Sequence, residues 1–123
     1  MSEFEYATPA SKLLASISRW IDESPTYIGR DPELILYRRV TKVTEEAGEA
    51  HAALGGVVGE NPRKGVTHLE ADLIGELLDC AVSALGAIEH ITGNRGESLD
   101  LLDRKIVRVA ERAGLLSAVS DVG

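Results

Sequence analysis

Apolar residues recur every three or four positions along most of the chain, a period that predicts helices rather than strands. Leu13, Leu14, Ile17, Trp20 and Ile21 mark a first helix over about 9–23, with Thr8 as cap, Pro9 in the first turn and a stop at Ser24-Pro25. Asp31-Pro32-Glu33 is a second start signal, because Asp caps and Pro suits the first helical position. From there Leu36, Val40, Val43, Ala47, Ala50 and Leu54 form one stripe of a helix over about 32–57, ended by Gly55, Gly56 and Gly59. A third helix over about 69–92 carries Leu73, Leu77, Ala81, Leu85 and Ile88 inside and closes at Gly93-Asn94. A fourth, over about 97–113, buries Leu101, Leu102, Ile106, Val109 and Ala113 before Gly114. The expectation is one all-α domain over 1–123, a four-helix bundle with its core at about 9–114 and a fraying tail from Leu115.

Composition supports that class. The 123 residues are 44% hydrophobic but only 4% aromatic, so a β-sandwich would lack its strand formers. Thirteen Lys and Arg against 20 Asp and Glu leave a net charge of −7, which argues against a binder of nucleic-acid backbones. The single Cys80 excludes an intramolecular disulfide, and with three His it cannot complete a conventional structural zinc site. The acidic start MSEFEYATPASK has no secretory pattern, and no apolar run is long enough to span a membrane, so a soluble cytoplasmic protein is expected.

The charges become informative on a helical wheel. Taking the second helix's stripe as centred on Leu36 and Leu54, Glu46 falls about 80° away, Lys42 about 120° and Glu49 about 140°, on one side with Arg39, whereas Glu45 sits opposite and faces water. On the third helix Asp72, Glu76, Asp79 and Ser83 gather along one flank. Glu49 lies nine residues before Val58 and Glu76 seven after Leu69, roughly 13 and 10 Å along the axes, so antiparallel packing sets the two acidic flanks side by side. Four carboxylates in one place repel one another unless Mg²⁺ or Mn²⁺ neutralises them.

The segment K42-V-T-E-E-A-G-E-A50 followed by E76-L-L-D79 resembles the MazG-like, all-α nucleoside triphosphate pyrophosphohydrolases, whose signature is ExxE and then ExxD on the next helix. The likeness covers about residues 31–92, and the flanking helices only by pattern. Many relatives carry a Lys followed a turn later by Asn on the last helix, whereas here Lys105 is followed by Arg108 and Val109. The resemblance implies that Glu46, Glu49, Glu76 and Asp79 hold Mg²⁺, with Mn²⁺ as a substitute, against a nucleoside triphosphate. Water then attacks the α-phosphorus, pyrophosphate leaves and a monophosphate remains, with Glu46 or Glu49 orienting or deprotonating the water. Lys42 is the first candidate for phosphate contact, followed by Arg39, Arg63, Lys64 and Lys105. Relatives form dimers and tetramers, so a homodimer or homotetramer is expected.

Other residues read more plainly. Asp72 suits a first-turn acid, Trp20 and Tyr27 are candidates to stack on a nucleobase although the spacing of Trp20 with Ile17 and Ile21 better suits core or interface, His90 reads as a surface position and Cys80 as a small core residue. A di-iron carboxylate site would need Glu-x-x-His, which does not occur. Two rivals remain open: a non-catalytic helical adaptor whose acids only solvate it, and a family member that binds nucleotides without hydrolysing them.

Overall fold

The computed structural model describes residues 9–116. Among these the protein is all-α, with four helices and no strand: α1 (Ala10–Asp22), α2 (Pro32–Val58), α3 (Glu70–Thr92) and α4 (Ser98–Arg112). Their bounds follow local chemistry. Asp31 accepts a hydrogen bond from the Glu33 N–H at 2.8 Å ahead of Pro32, and Gly59 closes α2 in the left-handed conformation at φ 69°. The Leu69 N–H donates to the Asp72 carboxylate at 2.8 Å, so Asp72 is spent on the start of α3. The expected Thr8 cap lies outside the described residues, as does most of the tail expected to fray.

Gly55 and Gly56 do not end α2, contrary to the expectation. They lie within its last turn, where the connection to α3 folds back over them. A Cβ at Gly56 would collide with the His68 ring and the Thr67 hydroxyl, and one at Gly55 would lie 2.6 Å from the Glu60 carboxylate. The missing side chains therefore allow a close crossing, with the Thr67 N–H donating to the Gly56 carbonyl at 2.9 Å.

The main packing unit is the antiparallel α2–α3 hairpin, with α1 laid on α3 and α4 joined to α3 and α1. The buried line of α2 is Ile35, Arg39, Glu46, Ala50 and Ala53, whereas Val40 is 51% exposed. Of the expected stripe only Ala50 is buried; the rest lies about a quarter turn round the helix. Small residues decide this, since Ala50 and Ala53 on α2 and Gly86 and Ala87 on α3 permit close approach where a row of Val and Leu would hold the axes apart. On α3, Leu77 is likewise 53% exposed.

The fourth helix corrects the expected bundle most sharply. Only Ser98 of α4 is buried, while Leu101, Leu102, Ile106 and Val109 are exposed, Ile106 by 55%. The helix is tied down by its start. Glu89 of α3, fully buried, accepts the Gly96 and Ser98 N–H groups at 2.8 Å each. This carboxylate fills the role of a cap, satisfying donors that the first turn of α4 leaves without helical partners. Beyond that turn α4 shows its apolar residues to solvent. No described helix is long and apolar enough to cross a membrane.

Candidate metal centre

Midway along the hairpin, α2 contributes Glu46 and Glu49 and α3 contributes Glu76. One carboxylate oxygen from each lies within 4.8 Å of the others. The spacing i, i+3 advances about 300° round a helix, so the first acid of each pair faces the seam and the second lies about 60° off it. Glu46 is accordingly buried, Glu76 half-buried and Glu49 exposed at the rim. Asp79, the second acid on α3, is exposed and stands outside the group of three. The sequence therefore places three of its four carboxylates together, at the depth predicted from helical rise.

The electrostatics are those of an incompletely compensated site. Glu46 takes an ion pair from Lys42 one turn earlier, with Nζ to Oε1 at 3.1 Å, and Lys42 also approaches Glu45 at 3.7 Å. The charge of Glu46, then partial desolvation, then the charge of Glu76 push the Glu49 carboxyl above its ordinary pKa, against a smaller opposing pull from Lys42. Hydrogen bonding to and attraction by Glu46 hold the Lys42 ammonium above its usual pKa. Oε2 of Glu76 is fully buried with no hydrogen-bond partner among the described residues. A hard divalent cation suits this donor set, because it takes oxygen ligands and cancels their repulsion. The orphaned oxygen is the observation that a cation would explain.

A cleft of about 510 Å³ opens between α1, α2 and α3, and none of the three carboxylates lines it. Leu14, Ile17 and Ile21 supply an apolar wall, Tyr27 an aromatic ring, and Arg38, Lys42 and Ser83 polar atoms. Lys42 and Glu45 connect the cleft to the acids, since both belong to its lining. Arg38 escaped the sequence reading, although it lies one turn before Lys42 and was visible as a cation at that spacing.

Of the other expected phosphate contacts, Arg39 lines the cleft but is committed to the fold, and Arg63, Lys64 and Lys105 lie outside its lining. Arg39 is buried, its guanidinium donating to Asp22 Oδ1 at 2.8 Å, Ser18 Oγ at 2.9 Å and the Gly86 carbonyl at 2.8 Å. It clamps α1 and α3 onto α2, and both terminal nitrogens of the guanidinium are engaged in doing so. Arg63 and Lys64 are exposed in the turn between α2 and α3, where Asn61 Oδ1 accepts the Arg63 N–H at 2.9 Å. Lys105 is exposed on α4. His90, expected at the surface, is half-buried, its Nδ1 lying 2.9 Å from Asp22 Oδ2. No sequence signal announced this network, because its members lie 17 and 68 residues apart. Trp20 is 73% exposed, and Cys80 is half-buried with Sγ 3.9 Å from the Val43 carbonyl.

Comparison with protein-family models, with curated proteins and with solved structures finds no match. The likeness to the MazG-like enzymes therefore rests on the paired acidic motif of the sequence alone.

Proposed function

We propose that this protein is a Mg²⁺-dependent nucleoside triphosphate pyrophosphohydrolase, converting ribo- or deoxyribonucleoside triphosphates to monophosphates and pyrophosphate. The observation that carries the reading is the convergence of Glu46, Glu49 and Glu76 from two helices, with a buried and unpartnered oxygen on Glu76. A merely solvated acidic face would leave each carboxylate in water and would give no reason to bury Glu46.

When bound, the cation would neutralise phosphate charge and favour ionisation of a water. Glu46 and Glu76 are the carboxylates that would hold it, with Glu49 at the rim of the same group, and Asp79, three residues further on α3, is the acid nearest in sequence for a fourth contact. Glu49, exposed at the rim, is the carboxylate open to the water that would attack. Lys42 and Arg38, lining the cleft, offer positive charge to phosphate oxygens, and the wall with Tyr27 offers apolar and aromatic surface to a nucleobase. The adjacency of cleft and carboxylates favours catalysis over a non-catalytic adaptor, which needs neither. In this reading the protein acts in the cytoplasm as a homodimer or homotetramer, Mn²⁺ replaces Mg²⁺, and neither nucleic acid nor membrane is its partner.

The test is product analysis. A panel of ribo- and deoxyribonucleoside triphosphates is incubated with Mg²⁺ or with EDTA, and products are separated by chromatography. Monophosphate and pyrophosphate formed only with the cation is the expected result. Orthophosphate with a diphosphate would place the attack on another phosphorus, and no turnover would leave the reading without its reaction.

A further inference from the structure

The carboxylate site already contains a cation of its own. Lys42 Nζ lies 3.1 Å from Glu46, with the Lys42 side chain 55% exposed and that of Glu46 only 11%. A lysine four residues ahead of a glutamate is the poorer orientation for an isolated helical pair, so local helix energetics do not explain why the two are joined. The negative potential of Glu45, Glu46 and Glu49 does. The same residue lines the cleft. Of the cations there, Arg39 is committed to Asp22, Ser18 and Gly86, whereas Lys42 has a flexible four-carbon stem and three donors to redirect.

We propose that Lys42 is the internal counter-ion of the carboxylate site, holding Glu46 until that carboxylate is taken up by a divalent cation, and then turning to an anion in the cleft. The inference rests on the reading of Glu46, Glu49 and Glu76 as a cation site, for which the buried, unpartnered Glu76 oxygen is independent support. Two positive groups cannot share Glu46 without repelling each other, so occupation of the site releases Lys42. The released ammonium is then available to a polyphosphate. By reciprocity an anion that draws Lys42 into the cleft also strengthens cation binding. Lys42 thereby makes an empty site less negative and a loaded site more attractive to phosphate.

The experiment measures Mn²⁺ binding to the full chain, without nucleotide, by calorimetry. Lys42→Met removes the competitor and is expected to bind Mn²⁺ about tenfold more tightly than the wild type. Arg38→Met deletes the same charge from the same cleft without vacating a carboxylate, and is expected to stay within about twofold of wild type. Far-UV circular dichroism checks that both variants keep their helices. Equal affinity in wild type and Lys42→Met overturns the counter-ion role while leaving the cation site standing. Equal tightening in both variants also overturns it, because a diffuse field would then suffice. Absence of saturable Mn²⁺ binding in every protein refutes the cation site and the counter-ion role with it.

Discussion

Two sets of carboxylates sit on the same hairpin and behave in opposite ways. Towards the end where α2 begins and α3 ends, Asp22 and Glu89 are enclosed by donors: Arg39, His90 and Asn94 around the first, the Gly96 and Ser98 N–H groups around the second. Burial pushes both pKa values up, yet hydrogen bonds outweigh it. Those from His90 and Asn94, with the charges of His90 and Arg39, hold Asp22 below its usual value, and those from Ser98 and Gly96 do the same for Glu89. Midway along the hairpin, Glu46, Glu49 and Glu76 face one another with Lys42 as their only ion-pair partner among the described residues, and Glu49 is pushed the other way. An acid that the fold satisfies holds structure together. An acid that the fold leaves in conflict costs stability, and such conflicts concentrate where a ligand resolves them.

The largest effect that can break this contrast is catalytic. Glu49→Gln is expected to lower kcat/KM by about a thousandfold, roughly 4 kcal/mol of transition-state stabilisation, with no loss of melting temperature. Steady-state kinetics beside thermal denaturation checks both halves. A smaller effect, in stability rather than rate, follows from Arg39→Met, which leaves the Asp22 carboxylate without its guanidinium partner and is expected to cost about 3 kcal/mol in urea unfolding. Glu89→Gln puts an amide where two N–H donors need acceptors and is expected to cost about 2 kcal/mol, read by the same unfolding and by faster amide exchange at the start of α4.

The smallest effect is the pH profile, and here the two sets carry opposite signs. Asp22 and Glu89, with depressed pKa values, contribute stability that is complete above the ordinary carboxylate range and is lost as pH falls through their folded values. Glu49, with a raised value, binds its proton more tightly in the folded chain, so stability rises as pH falls through its folded value. Tm measured from neutral to acid pH is therefore expected to climb slightly and then fall. Glu49→Gln removes the climb and Asp22→Asn softens the fall.

The sequence disclosed what is local and hid what is not. Helix bounds were legible because Asp31, Pro32, Gly59 and Gly93 act within a turn of themselves. The three-carboxylate site was legible because equal depth on antiparallel helices is arithmetic. Asp79 stands outside the group of three while Glu49, the second acid of the other pair, stands within it, a difference that the shared i, i+3 spacing does not forecast. The buried face of α2 was misplaced by about a quarter turn, because the line that packs inward carries Arg39 and Glu46 beside Ile35, Ala50 and Ala53, so hydrophobic periodicity pointed to the neighbouring, more apolar line of Leu36, Val40 and Val43. Arg39 was read as a phosphate contact because its partners Ser18, Asp22 and Gly86 lie on other helices and leave no local mark. The exposed stripe of α4 was read as core, because the periodicity shows an apolar face but not whether a neighbour within the chain reaches it.

The contrast between the two sets of acids is tested most directly by thermal denaturation with and without Mn²⁺ in three proteins: the wild type, Glu76→Gln and Glu89→Gln. The account predicts that Mn²⁺ raises the Tm of the wild type and of Glu89→Gln by similar amounts, and leaves that of Glu76→Gln unchanged, since only Glu76 belongs to the cation site. A wild type indifferent to Mn²⁺, or a Glu76→Gln variant that gains as much from it, would contradict the account.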